Sequence, residues 1–180
     1  MNKRKNQTDI RSALEQGNRY YADTCDKNIL TDTADKGQRP VAIVVCCSDS
    51  RVIPEKIFSA EIGDLFVIRV AGNVLDNHQL GSIEYAAGHL GCEHIIVLGH
   101  TGCGAVAAAL SGETDGFIRY VTDDILIAIG NERDPYKACC LNVEHAVDRI
   151  QREFAEHPEV GDAVVEGAVY DIRTGKVKWL

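Results

Sequence analysis

Short, almost continuously apolar runs alternate with helix-like segments through the middle of the chain. Three of these runs, VAIVVC, LFVIRV and HIIVLGH, are rich in β-branched residues, which is typical of strands covered on both faces. The segments after them, IPEKIF, HQLGSIEYAAGHL and GCGAVAAALSG, carry helix signals such as an early proline or apolar residues at helical spacing. This alternation predicts an α/β fold with a central, mostly parallel β-sheet flanked by helices.

The two ends of the chain differ from this alternating middle. Residues 8–23 have only a weak apolar face, so we predict an N-terminal helical arm, followed by a polar loop that ends at Pro40. Near the other end, NVEHAVDRIQREF has one apolar helical face, and AVVEGAVYDI and KVKWL predict a C-terminal β-hairpin. The 180 residues are expected to form a single domain, with the arm and loop over residues 1–36 and an α/β core over residues 37–180.

Composition and charge argue against several classes of partner. The net charge is −8 and no Lys/Arg cluster recurs after the KRK of residues 3–5, so neither nucleic acid nor a membrane surface is expected as the main partner. The apolar runs are too short to span a bilayer and the first residues have no apolar signal core, so we expect a cytoplasmic protein. Seven cysteines, with two adjacent pairs, indicate a reducing compartment in which some thiols are buried or bind a metal.

Candidate chemistry lies directly at the ends of two predicted strands. Ligands of parallel α/β sheets bind beyond the carboxyl ends of the strands, where CSDSR and HTGC are found. Cys47, His100 and Cys103 together offer two sulfurs and one nitrogen, a donor set that suits Zn²⁺. Each motif alone is a weak signal, since a single cysteine is more often a core residue than a ligand. Two such motifs at the ends of two strands together are a strong signal for a metal site.

The number of protein ligands separates a structural zinc site, with four, from a catalytic one that keeps a place open. Cys46 should point to the opposite face of its strand from Cys47, and Cys92 lies at the other end of the strand that His100 ends. We therefore expect neither to be a fourth ligand. Cys139 and Cys140 fall near a helix start, so both stay open as ligands.

A carboxylate and a guanidinium close to Cys47 also bear on the number of protein ligands. Asp49 has Arg51 two residues away, and a carboxylate held by an arginine stays ionised and is directed away from the metal. The pair therefore favours a zinc ion whose fourth place is left to water.

The motifs CSDSR and HTGCG, with FVIRVAGN and GSIEYAAGHL between them, closely resemble the paired signature of the β-class carbonic anhydrases. The resemblance runs from about residue 37 to residue 109 and is weaker in the C-terminal helix and in GAVYDIRTGKV. It implies a zinc lyase, with one Zn²⁺ per subunit, that converts CO2 reversibly to bicarbonate and a proton by attack of zinc-bound hydroxide.

The resemblance also implies a role for individual residues. Cys47, His100 and Cys103 match the family's zinc ligands, and Asp49 and Arg51 match the catalytic dyad that orients the zinc-bound water. Five residues fall at the family's substrate-binding positions: Gln38, Phe66, Tyr85 and Gly104, and Ala71, where plant-type members have valine. In this family the site lies at a dimer interface, so the resemblance implies a homodimer, with some residues acting across subunits, that can pair into a tetramer.

Two positions depart from one subgroup of the family. The bicarbonate-inhibited members have tryptophan and glycine where this chain has Val44 and Cys46. We therefore expect a zinc site open to water at neutral pH, with no closure driven by bicarbonate. Apart from His100 itself, no histidine stands beside either motif, so the sequence assigns no proton shuttle; His78 is one surface candidate.

Three other functions stay open at this point: a hydrolase of carbonyl sulfide or carbon disulfide on the same scaffold, a non-catalytic zinc or thiol protein, and an assembly subunit without catalysis. The presence of Asp49 and Arg51 argues against the non-catalytic zinc protein, because a structural site needs no dyad to direct water.

Overall fold

The chain forms two compact units, residues 1–37 and residues 38–180, in a computed structural model. The structure describes residues 7–112, 115–157, 160 and 162–180, without the side chains of residues 7 and 8. The first unit contains two helices, α1 (Gln7–Thr24) and α2 (Lys27–Lys36). The part of the predicted arm that precedes Gln7 lies outside the described residues.

The prediction of a polar loop between the arm and Pro40 is wrong, because most of that segment forms α2. The side chain of Asp26 accepts a hydrogen bond from the backbone N–H of Asn28, at 2.8 Å, and so caps the start of the helix. Gly37 follows the last turn with a φ of 77°, a conformation that glycine adopts readily. These end signals outweigh the polar composition that suggested a loop.

One five-stranded sheet lies at the centre of the second unit. Its strands, in chain order, are β1 (Ala42–Cys47), β2 (Leu65–Val70), β3 (His94–His100), β4 (Val164–Tyr170) and β5 (Val177–Trp179). The spatial order is β2-β1-β3-β4-β5, and the first four strands are parallel, whereas β5 pairs antiparallel with β4. The predicted mostly parallel sheet and the C-terminal hairpin are therefore confirmed.

Within the described residues, the second unit contains five α-helices: α3 (Pro54–Ile57), α4 (Asn77–Leu90), α5 (Gly104–Ser111), α6 (Ile118–Ile129) and α7 (Pro135–Phe154). The sequence predicted α3, α4, α5 and most of α7, but not α6. The buried residues of α6, Thr122, Ile125 and Ile129, lie on one helical face, while Tyr120 and Ile127 are exposed. None of the described helices combines the length and the apolar character that crossing a bilayer requires.

The central strand β1 is buried on both faces, as its apolar sequence predicts. All six of its residues are buried, and alternate side chains enter different apolar clusters. Ile43 and Val45 pack with residues of α4 and α7, whereas Val44 and Cys46 pack in a cluster on the other face. This double burial fixes the direction in which each side chain of β1 points.

Helix α7 lies very close to β3 and β4, because both strands present glycines to it. A Cβ atom added to Gly99 would lie 2.5 Å from Cγ2 of Val143, and one added to Gly167 would lie 2.8 Å from Cγ1 of the same valine. No real Cβ tolerates such distances, so the close packing of α7 on the sheet requires glycine at both positions.

We expect Gly167→Ala to lower the free energy of unfolding by roughly 1–3 kcal/mol, because the new methyl group overpacks the contact with Val143. In a Val143→Ala background the same change should cost clearly less, since the clashing methyl groups are gone. Urea unfolding of the four proteins at one fixed concentration measures both costs. Equal costs in the two backgrounds would contradict this explanation.

Candidate active site

Three buried donor groups meet at the carboxyl ends of β1 and β3. Cys47 ends β1, His100 ends β3, and Cys103 lies three residues further on, directly before α5. Their ligand atoms all lie within 4.8 Å of one another. Adjacent parallel strands end at the same edge of the sheet, which is why residues more than fifty positions apart come together.

The imidazole of His100 is oriented by a hydrogen bond on one nitrogen and has no partner on the other. Its Nδ1 lies 3.1 Å from the carbonyl oxygen of Thr101, which can only accept, so Nδ1 carries the proton and donates it. Nε2 is fully buried and has no hydrogen-bond partner among the residues that the structure describes. A buried nitrogen without a partner is costly, whereas a metal ion at the three-donor cluster would satisfy its lone pair.

The two thiols of the cluster oppose each other's ionisation. Their closeness is the largest influence on each pKa: it lowers the pKa of Cys47 and raises the pKa of Cys103. Sγ of Cys47 also accepts bonds from the backbone N–H groups of Gly72, at 3.3 Å, and Asp49, at 3.4 Å. A divalent ion lets both thiols lose their protons. The buried S₂N donor set therefore fits Zn²⁺.

Asp49 lies beside the cluster but is held by Arg51. Arg51 donates from Nε to Oδ1 at 2.9 Å and from Nη2 to Oδ2 at 2.7 Å, and its Nη2 also lies 3.2 Å from the carbonyl oxygen of Gly102. These hydrogen bonds hold the pKa of Asp49 well below its usual range. Oδ2 of Asp49 remains 4.0 Å from Nε2 of His100, so an ionised carboxylate stands next to the three donors.

The other thiols near the site face elsewhere. Cys46 is fully buried in the cluster on the opposite face of the sheet, where burial raises its pKa to about 12. Cys92 is buried and its Sγ lies 3.0 Å from the carbonyl oxygen of Pro40. Sγ of Cys139 donates to the carbonyl oxygen of His100 at 2.9 Å. In the part of the chain that the structure describes, neither Cys139 nor Cys140 joins the three-donor cluster.

Two of the five residues matched to substrate binding lie close to the cluster. Ala71 directly follows β2, whose last residue Val70 pairs with Cys47, and Ala71 is exposed. Gly104 follows Cys103 and is the first residue of α5, where backbone N–H groups lack intrahelical partners.

The other three lie at the opposite end of the sheet. Phe66 pairs with Ile43, four residues before Cys47 on β1, which corresponds to roughly 13 Å along the strand. The ring of Tyr85 packs near that of Phe66, with their centroids 6.2 Å apart. Gln38 precedes the amino end of β1 by four residues and is exposed. A single chain therefore does not bring these three residues to its own cluster.

Sequence reasoning missed the residues that hold the backbone of the site. Arg69 donates from Nη2 to the carbonyl oxygen of Asp49 at 2.7 Å and from Nε to that of Cys47 at 3.2 Å. A charged residue inside the apolar run LFVIRV was the available signal. No local signal marks Asn142, which bonds the carbonyl oxygen of Gly72 across seventy residues.

Comparison with known proteins agrees with this geometry. The family model described as carbonic anhydrase matches residues 42–177. A carbonic anhydrase of Mycolicibacterium smegmatis is 38% identical over 158 residues, which are 79% of this chain and 76% of that protein.

Solved structures extend the comparison to the fold. A Coccomyxa β-carbonic anhydrase, solved with acetazolamide, has a TM-score of 0.75 and 33% identity, covering 94% of this chain and 85% of its own. A tetrameric β-carbonic anhydrase of Sordaria macrospora has a TM-score of 0.75 and 28% identity, covering 97% and 98%. The chain belongs to the carbonic anhydrase family, in its β class.

The adjacent thiols Cys46 and Cys47 offer a matched test of the metal site. We expect the purified Cys47→Ala protein to lose most of its zinc, because one of three donors is gone, and the Cys46→Ala protein to keep about one zinc per chain. Metal analysis after gel filtration measures both, with circular dichroism as the check on folding. Equal zinc contents in the two folded variants would contradict the assignment.

Proposed function

We propose that this carbonic anhydrase is a zinc enzyme that hydrates CO2 reversibly to bicarbonate and a proton, with one Zn²⁺ per subunit held by Cys47, His100 and Cys103. The observation that carries the proposal is the buried Nε2 of His100, which has no hydrogen-bond partner and belongs to a cluster with two cysteine sulfurs. When bound there, zinc supplies the Lewis acidity that makes water a nucleophile near neutral pH.

Asp49 and Arg51 form the catalytic dyad in this proposal. An ionised carboxylate can accept hydrogen bonds but cannot donate one, so Asp49 orients a water molecule beside the three donors by accepting a hydrogen bond from it. The remaining lone pairs of that water then point away from Asp49 and towards the substrate. Arg51 keeps Asp49 ionised and holds both of its oxygens, which opposes binding of the carboxylate to the metal.

Gly104 and Ala71 are proposed to contact the substrate from the same chain. The N–H groups in the first turn of α5 point out of the helix and carry its positive dipole end, which suits an oxygen of bicarbonate near Gly104. The exposed methyl group of Ala71, directly after β2, supplies an apolar contact for uncharged CO2.

The remaining substrate contacts are proposed to come from a second copy of the chain. Phe66 lies roughly 13 Å along the sheet from the cluster, Tyr85 packs beside Phe66, and Gln38 precedes the far end of β1, so these residues reach a cluster only across an interface. The side chain of Tyr85 is 48% exposed in the single chain, which leaves it accessible to a partner. We therefore propose a homodimer with shared active sites, and its pairing into a tetramer would match the Sordaria macrospora relative.

All of these residues belong to the unit of residues 38–180, which we propose is the catalytic part of a single functional domain.

The dyad predicts a simple dependence of the rate on pH. The rate of CO2 hydration should rise with pH through one ionisation, and Asp49 should add no second one between about pH 5 and about pH 9, because Arg51 keeps its pKa below that window. Asp49→Asn should lower kcat/KM roughly 10- to 100-fold while zinc content stays the same. Stopped-flow rates and metal analysis of both proteins test this.

The same preparations distinguish the rival functions. An unchanged rate in Asp49→Asn would favour a role for the dyad outside catalysis. Fast hydrolysis of carbonyl sulfide without CO2 hydration would favour the rival hydrolase, and zinc binding without either activity would favour a non-catalytic protein.

Subunit complementation tests the shared site. We expect Asp49→Asn and Gln38→Ala each to be impaired alone, whereas heterodimers of the two variants should regain about half of the wild-type activity per dimer. One site of each heterodimer would contain both changes and the other site neither. If Gln38 acted within its own chain, both sites would carry one change and no activity would return.

A further inference from the structure

We infer that Asn142 is a positioning residue for the metal ligand Cys47 and acts on it through Gly72. Asn142 lies on α7 and is 4% exposed, and its Nδ2 donates to the carbonyl oxygen of Gly72 at 2.8 Å. The N–H of Gly72 donates to Sγ of Cys47 at 3.3 Å. This inference rests on the proposed function, because it takes Cys47 to be a ligand.

Gly72 needs an external contact to keep both of these bonds aligned. Its φ of 68° lies in the left-handed region, and a Cβ atom would lie 2.9 Å from Cδ1 of Ile125 and 3.0 Å from Cβ of Ala105. Glycine is therefore required here by both conformation and space, yet glycine is also the residue with the widest backbone freedom. Asn142 restricts that freedom by binding the carbonyl on one side of the Gly72 Cα, while the N–H on the other side points at the sulfur.

The direction of the Gly72 N–H matters because it faces a group that is to carry negative charge. Hydrogen bonds from N–H groups to a thiolate stabilise its charge and fix its position. If the side chain of Asn142 cannot donate, the buried carbonyl of Gly72 loses its hydrogen bond. The backbone at Gly72 then tends to rotate, because a buried carbonyl without a partner is costly. The N–H···S bond then weakens, which raises the energy of the sulfur lone pairs. Cys47 also loses one of the bonds that fix its position, so the metal is held less rigidly.

A second residue of α7 separates this role from general support by the helix. Arg149 donates from Nη1 to the carbonyl oxygen of Leu75 at 2.7 Å, so it makes the same kind of bond to the same segment, three residues after Gly72. If Asn142 only stabilises the packing of the segment on α7, changes at Asn142 and Arg149 should affect the metal site alike. If Asn142 positions Cys47, only its change should affect the sulfur.

The test compares Asn142→Leu and Arg149→Met in the full chain, loaded with Co²⁺ for spectroscopy and with Zn²⁺ for release to a chelator. We expect Asn142→Leu to shift the sulfur-to-cobalt charge-transfer band to lower energy and to release Zn²⁺ roughly 10-fold faster than the wild type. Arg149→Met should match the wild type in both measurements. If Asn142→Leu does not fold, Asn142→Ala is measured in the same way with the same expectations.

Two results would overturn the inference while leaving the proposed function intact: a wild-type band and release rate in the Asn142 variant, or equal changes in both variants. A wild-type protein that binds neither ion would overturn the zinc proposal and this inference together, so the two failures are distinguishable.

Discussion

Two sulfurs and an imidazole nitrogen crowd into a buried space at one edge of the sheet, and the chemistry of the site depends on that crowding. The closeness of the thiols lowers the pKa of Cys47 and raises that of Cys103, so a cation favours the loss of the second proton. Within the described part of the chain, Nε2 of His100 has no hydrogen-bond partner in this space. A cluster that is unsatisfied in this way favours a divalent metal ion, and the surrounding backbone bonds keep it in the geometry that such an ion needs.

In the proposed mechanism, the Asp49–Arg51 pair controls how a metal ion at the cluster can be used. An ionised carboxylate 4.0 Å from Nε2 of His100 is close enough to compete for a coordination place. Arg51 opposes this competition through two hydrogen bonds to the carboxylate, and its contact with the carbonyl of Gly102 ties the CSDSR segment to the HTGC segment. The pair therefore fixes the position of the Asp49 carboxylate and connects the two segments that carry the proposed ligands. A structural zinc site would have no need of this arrangement.

The sequence was most informative about residues whose positions follow directly from the geometry of β-strands. Cys47 and His100 could be assigned to one edge because parallel strands end together, and Cys46 could be set aside because neighbours on a strand face opposite ways. Helix α2 was missed because it depends on an end cap, whereas the helical spacing of the buried residues of α6, Thr122, Ile125 and Ile129, was an available signal. The role inferred for Asn142 was beyond reach, since it depends on how closely α7 packs against a segment seventy residues away.

The proposed mechanism requires a zinc ion with three protein ligands and a carboxylate, Asp49, that does not bind it. A crystal structure of the zinc-loaded protein near neutral pH tests this most directly. We expect one Zn²⁺ bound by Cys47, His100 and Cys103, with both oxygens of Asp49 still hydrogen-bonded to Arg51. An oxygen of Asp49 at bonding distance from the metal, about 2.0–2.2 Å, would contradict it.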